Sequence, residues 1–310
     1  MLESLNEFSV IKEFFSDFSC GKATVIGPGD DCAVLRLPKD TELATSSDTL
    51  IEGCHFPFGS SGDDVAYRAI ATSASDLAAM GAQPLACVIS LSLPEVDIAW
   101  LEDFKQGLSS AIRCFSLPLV GGDLTRGPLT ITVTVYGSLP VGRRLLRSGA
   151  KQGEIVLVTG TLGDAAAGLA FLNNEWEPSC DDREFLVRRF FRPESRLDLA
   201  ASLLEVATSS IDISDGLLAD AGHIASESGL SIQIDVKKIP FSPVLSKLDN
   251  KQQVLKWALS GGDDYELCFT MPANKNTPPG CTPIGFTAFG AGVRCDHFDS
   301  ISSEVGYRHF

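Results

Sequence analysis

The sequence predicts two α/β domains (α+β type) of comparable size, and three observations carry that prediction. At 310 residues the chain exceeds the length at which single cores stop growing, about 250–300 residues. Strand-like and helix-like apolar patterns alternate through both halves. Between 139 and 153 the patterns break into LPVGRRLLRSGAKQG, where glycines, a proline and a run of Arg and Lys mark a boundary. This places a first domain over 1–140 and a second over 150–310.

The elements follow in order. Asp63 to Met80 reads as a helix ending at Gly81, a residue suited to a C-cap. Asp76 falls near its last turn, poorly placed for the helix dipole unless a cation offsets it. Ile98, Leu101, Leu108, Ile112 and Phe115 share helical spacing, so 97–115 is an amphipathic helix. Leu129, Ile131, Val133 and Val135 alternate with Thr130, Thr132, Thr134 and Tyr136, which predicts a strand with one buried face. Past the boundary, Glu154 to Gly160 is a buried strand, followed by a glycine turn and a small-residue helix over 164–172. A helix over 195–207 leads into the strand SSIDIS and a helix from Gly216 onward. Helix QQVLKWAL and strand YELCFTM flank the last acidic motif.

Composition narrows the function. A net charge of -15 excludes a nucleic-acid surface, which needs clustered Lys and Arg. It leaves room for an anionic substrate, because a bound divalent cation reverses the local field. Nine cysteines with no C-x-x-C pair exclude a standard zinc motif and argue against a disulfide framework. The start, MLESLNEFSVIKEFF, lacks a basic segment before an apolar core, and no run approaches the ~20 apolar residues of a membrane span. The expectation is a cytoplasmic protein without a membrane or nucleic-acid partner.

Against that background stand seven short aspartate-bearing segments: GDD at 29–31, SSD at 46–48, SDL at Asp76, GGD at Asp123, DISDG at 212–216, GGDDYE at 261–266, and Asp220. Taken singly, each reads as turn or capping chemistry. Taken together at strand-to-loop junctions they point to a ligand site. Two carboxylates ~4 Å apart repel by roughly 4 kcal/mol at an effective dielectric of ~20, so a fold that gathers several needs cations. Oxygen-only donors favour Mg²⁺, which bridges carboxylates to substrate phosphates. Ser214 and Asp215 precede a helix whose first amides also suit a phosphate. TGTLGDAAAGL lacks the G-x-G-x-x-G spacing, and no P-loop occurs. His55, Arg147 and Tyr307 are the remaining candidates, each with an ordinary structural alternative. No nucleophile–base pair stands out.

The words GPGDDCAVL, SSDTLIEGCHF, SDLAAMGAQP, GGDLTRGP, RSGAKQG, IDISDGLLAD, SGGDDYELCFT and GYRHF resemble, in order and over almost the whole chain, the thiamine-monophosphate kinase family. That family lies within the aminoimidazole-ribotide synthetase-like superfamily. The resemblance implies a two-domain fold of that type, with an N-terminal mixed sheet pooled across a homodimer and a C-terminal α/β domain. It implies transfer of the ATP γ-phosphate to thiamine monophosphate, giving thiamine diphosphate. By position it makes Asp31, Ser46, Ser47, Asp48, Asp76, Asp123, Asp212 and Asp215 ligands of several Mg²⁺ ions, with Asp30 a further ligand or its neighbour. Gly122, Asp123, Arg147 and Ser214 would contact ATP, while His55, Asp263 and Tyr307 would contact thiamine monophosphate. No covalent catalytic residue is implied. The family usually has Gly-Glu-Asp-Tyr-Glu where this chain has Gly262-Asp263-Asp264-Tyr265-Glu266, and Ser47 stands where threonine is common. The competing readings are another ATP-dependent enzyme of the superfamily and a non-catalytic Mg-nucleotide-binding protein.

Overall fold

The structure, a computed structural model, describes residues 7–15, 18, 21–295 and 306. Two compact units emerge, one of Met1–Leu77 with Ala82–Gly142, the other of Arg143–Phe310 with the short stretch Ala78–Gly81. The fold is mixed α/β. No helix among the described residues is long and apolar enough to cross a membrane.

The first unit opens with α1 (Glu7–Val10), which runs into a π-helical turn over Ile11–Phe15. Strands β1 (Thr24–Ile26) and β2 (Val34–Leu35) form a small hairpin carrying the GDD segment. Then come β3 (Thr41–Ile51), α2 (Gly62–Met80), β4 (Gln83–Leu93), α3 (Ile98–Phe115), β5 (Leu119–Arg126) and β6 (Thr130–Pro140). The four long strands make one sheet in the order β3-β6-β4-β5, antiparallel except for β4 with β5. Alternation on β6 sends Ile131, Val133 and Val135 into the core and leaves the threonines on the other face, as period-2 patterning requires. Helix α2 lies against the core face, where Ser73 Oγ donates to the Val133 carbonyl. Helix α3 is capped by Asp97, which accepts from the Trp100 amide, and it ends on Ser116 in the left-handed region. Its Trp100 Nε1 donates to the Ser60 carbonyl just before α2.

The second unit contains β7 (Ile155–Thr159), α4 (Asp164–Leu172), α5 (Cys180–Phe191), α6 (Ala200–Val206), β8 (Ser209–Asp212), α7 (Leu217–Ser228), β9 (Ser231–Ile234), α8 (Pro243–Ser246), α9 (Lys251–Ser260), β10 (Leu267–Met271), β11 (Cys281–Ala288) and β12 (Gly292–Cys295). Its six-stranded sheet runs β12-β9-β11-β7-β10-β8. Both faces are covered, which is why β7 and β10 read as continuous apolar runs. Val156, Val158 and Cys268 pack with Leu217, Ala221 and Ile224 of α7. Leu157, Leu267, Phe269 and Met271 pack on the opposite face with Leu203 of α6 and Ala78 and Ala79 from the end of α2.

One helix is several residues shorter than the sequence predicts. The helix expected over 195–207 begins only at Ala200, because Ser195 and Arg196 take positive φ of 54° and 45°. The cause is the Arg196 side chain, which leaves any helical path to grip Glu266 with Nε and Nη2 at 2.5 and 2.7 Å.

Candidate active site

In the first unit, alternation on β3 separates three neighbouring residues. Ser46 and Asp48 turn toward α2, and Ser47 turns to the exposed face. On α2, Ser73 and Asp76 are three residues apart and share a side of the helix. Ser46 Oγ donates to Asp76 Oδ2 at 2.5 Å. Asp48 takes a hydrogen bond from Ser73, yet its Oδ2 is buried with no hydrogen-bond partner. Burial pushes the Asp48 carboxyl above the ordinary carboxylate range, and the Ser73 bond offsets this only in part. A strand two-residue step and a helix three-residue step thus bring Ser46, Asp48 and Asp76 together.

The exposed face holds a different set. Ser47 Oγ and Thr134 Oγ1 are 2.9 Å apart, as are Thr49 Oγ1 and Thr132 Oγ1. Register carries this row across β6 and β4 to Ser90, whose partner on β5 is Asp123. Asp123 therefore stands on the face opposite Asp48, beside Gly122. Asp30 and Asp31 are exposed in the β1–β2 turn, where the Asp31 amide donates to Asp30 Oδ1. His55 lies in the turn after β3, its Nδ1 accepting the Ile51 amide at 3.0 Å, which fixes the ring's orientation.

In the second unit, two loops that carry candidate residues are laced together. Asp212 is buried at the end of β8, and Ser214, Asp215 and Gly216 form the turn into α7. The segment 261–266 runs alongside: the Asp263 amide donates to the Ser214 carbonyl, the Tyr265 amide to the Ile213 carbonyl, and the Ile213 amide to the Glu266 carbonyl. Tyr265 Oη donates to Asp263 Oδ1 at 3.5 Å. Asp263 and Tyr265 hold φ of 62° and 49°, a conformation that persists in non-glycine residues only where the surroundings over-determine it. Gly262 allows the close approach. It has φ of 69°, and a Cβ there would sit 2.4 Å from the Ser214 carbonyl oxygen. Gly262→Ala is expected to cost at least about 1–3 kcal/mol and to disturb both loops. Thermal unfolding of the variant checks it, and an unchanged melting temperature would contradict the lacing.

The same loop sends its alternate carboxylates inward. Asp264 Oδ2 accepts the Gly163 amide at 2.8 Å at the start of α4, and burial holds its carboxyl well above the ordinary range. Glu266 is buried too, but there the two guanidinium groups of Arg196 and Arg189 outweigh desolvation and hold its carboxyl below the usual range. Sequence reading missed this buried charge network. Its signal was the cluster of charged residues around Arg192-Pro193-Glu194, Arg189 and Arg196 among them. Arg147, assigned from sequence to an interdomain stretch, sits in a 3₁₀ turn within the second unit, its carbonyl accepting Ser228 Oγ at 2.9 Å. Tyr307 lies outside the described residues. Its neighbour Gly306 is close to Ala219 and Asp215, within 3.1 Å of the Asp215 carbonyl oxygen from its Cβ position.

Among the described residues no three His, Cys, Asp or Glu side chains converge as a ready metal site. The donors are nonetheless all oxygen, and the orphaned, buried Asp48 Oδ2 is the kind of atom a hard cation satisfies.

Comparison with known proteins decides what these loops belong to. The family profile described as AIR synthase related protein, N-terminal domain, matches residues 29–139. Thiamine-monophosphate kinase of Escherichia coli (strain K12) is 47% identical over 268 residues, spanning 86% of this chain and 82% of that protein. The chain belongs to the thiamine-monophosphate kinase family. A crystal structure of thiamine-monophosphate kinase from Stenotrophomonas maltophilia K279a superposes with a TM-score of 0.83 at 38% identity, covering 89% of this chain and 92% of that one. The complex of AaThiL with AMPPCP and TMP superposes with a TM-score of 0.82 at 35% identity, covering 88% and 89%.

Proposed function

We propose that this enzyme phosphorylates thiamine monophosphate to thiamine diphosphate by direct in-line transfer of the ATP γ-phosphate. The observation that carries the reading is 47% identity over most of the chain to a thiamine-monophosphate kinase. It is supported by a close structural match to a protein held with AMPPCP and TMP. In AMPPCP a carbon replaces the β,γ-bridging oxygen of ATP, so the pair stands in for donor and acceptor.

Asp31, Asp48, Asp76, Asp123, Asp212 and Asp215 would hold Mg²⁺, with Ser46 and Ser47 adding oxygens and Asp30 at the margin. When bound, Mg²⁺ would supply positive charge that offsets the mutual repulsion of the phosphates. Gly122, Asp123, Arg147 and Ser214 orient ATP, Arg147 as a charged fork for phosphate. His55, Asp263 and Tyr307 orient thiamine monophosphate. The acceptor is a phosphate oxygen already ionised near neutral pH, so no side chain has to remove a proton and none forms a covalent intermediate. Positioning and charge neutralisation carry the rate.

The enzyme acts in the cytoplasm as a homodimer whose first-unit sheets pool. Leu43 and Ile51, 50% and 40% exposed on edge strand β3, support a partner along that edge. Sedimentation giving a monomer would overturn the dimer.

The deciding assay supplies ATP, Mg²⁺ and thiamine monophosphate, with free thiamine as a parallel acceptor. Thiamine diphosphate formed from the monophosphate alone is the expected result. Folded protein that binds Mg²⁺-ATP and makes no diphosphate overturns the kinase reading. His55→Ala is expected to raise KM for thiamine monophosphate about tenfold with a smaller loss in kcat, the mark of lost ground-state binding. Steady-state kinetics checks it.

A further inference from the structure

We propose that Asp220 is a positioning residue whose buried carboxylate fixes the Ser214–Asp215–Gly216 turn in the form that presents Ser214 and Asp215 to Mg²⁺-nucleotide. This rests on the function proposed above and assigns a role to an aspartate of the acidic set that it leaves unused.

Asp220 is only 2% exposed and lies in the first turn of α7. Its Oδ2 reaches back to accept the amides of Asp215 and Gly216 at 3.1 and 3.0 Å. Gly216 holds φ of 117°, so the turn is an uncommon backbone shape with two amides aimed inward. From the other side the 261–266 segment takes the carbonyls: Ser214 accepts the Asp263 amide and Ile213 the Tyr265 amide. The turn is therefore gripped on its donors by Asp220 and on its acceptors by the neighbouring loop.

The test compares wild type with Asp220→Ala, Asp220→Asn and Asp220→Glu. Calorimetry reads Mg²⁺-AMPPCP affinity, and kinetics reads KM for each substrate. Asp220→Ala is expected to weaken Mg²⁺-AMPPCP binding, and to raise KM for Mg²⁺-ATP, by about tenfold or more, the usual loss for a residue that orients ligands. KM for thiamine monophosphate should move less than that. Asp220→Asn keeps an acceptor in place and should stay within about threefold of wild type, whereas Asp220→Glu keeps the charge but moves the acceptor and should lose about tenfold. If the alanine variant does not fold, the Asn and Glu pair decides alone. A folded Ala variant that melts lower yet binds nucleotide like wild type overturns the proposal, as does Glu rescuing better than Asn. Wild type that binds Mg²⁺-AMPPCP without making diphosphate sinks the kinase reading, and the binding arm still judges Asp220. Wild type that binds no Mg²⁺-AMPPCP overturns both.

Discussion

Asp48→Asn and Asp123→Asn are each expected to lower turnover by about a hundredfold or more while leaving a folded protein, since even residues behind a metal's ligands cost 10–100-fold. The two differ in what they do to stability, because their surroundings differ. Asp48 is buried with one carboxylate oxygen unpartnered, and burial raises its pKa above the unfolded value. A raised carboxyl contributes stability that is present at low pH and is lost as pH rises through the folded pKa. Above the unfolded carboxylate range the metal-free wild type therefore carries a cost for desolvating Asp48. The asparagine variant does not. Without Mg²⁺, Asp48→Asn should melt at or above wild type. With Mg²⁺, wild type should gain and the variant should gain less. Asp123 is exposed on the other sheet face, so its substitution should leave the metal-free melting temperature unchanged. Melting curves with and without Mg²⁺, alongside the kinase assay, test both. Full activity in either folded variant would falsify the assignment of these aspartates to the metal.

How much of this was legible in the sequence depends on the range of the signal. The 164–172 helix could be read because small apolar residues after a glycine turn are a local pattern, and the helix is found at Asp164–Leu172. Alternation over 129–135 likewise gave one buried face. The 195–207 helix failed because Arg196 answers to Glu266, 70 residues away, and no local period reports that pull. The site divides in the same way. Ser46 and Asp48 read locally as turn or capping residues, yet they share one side of strand β3, and their meeting with Asp76 is set by how α2 lies on the sheet. Asp76 near a helix C-terminus suggested a waiting cation. The structure answers part of that with Ser46 Oγ. In GGDDYE the sequence offers three carboxylates of one kind. The resemblance singles out Asp263, and the fold adds that Asp264 and Glu266 turn inward to hold α4 and two arginines.

Glu266→Gln should unfold the second unit more easily at neutral pH, by about 3–5 kcal/mol, the cost of removing one partner from a buried ion pair. For a unit of this size that is a fall in melting temperature on the order of 10 °C. The carboxylate takes four hydrogen bonds: from Thr159 Oγ1 at 2.5 Å, Arg196 Nε at 2.5 Å and Nη2 at 2.7 Å, and Arg189 Nη2 at 3.0 Å. Glutamine keeps the length but offers one acceptor oxygen and turns an amine toward the guanidinium groups. Both arginines then lose their shared anion while still largely buried. The pH dependence separates this from a simple packing loss. Desolvation opposes ionisation of Glu266 and the two arginines outweigh it, so its folded pKa lies below the unfolded value near 4.5. A depressed carboxylate contributes stability present above the unfolded pKa and lost as pH falls through the folded one. The gap between wild type and Glu266→Gln should thus be full at neutral pH and shrink in acid, below the unfolded pKa. A gap that stays constant with pH, or one under about 1 kcal/mol at neutral pH, would show that the pair is not held by charge. Glu266 immediately follows the strained Asp263–Tyr265 stretch. Its loss should therefore also raise KM for thiamine monophosphate, tying the buried arginines to the shape of the substrate loop.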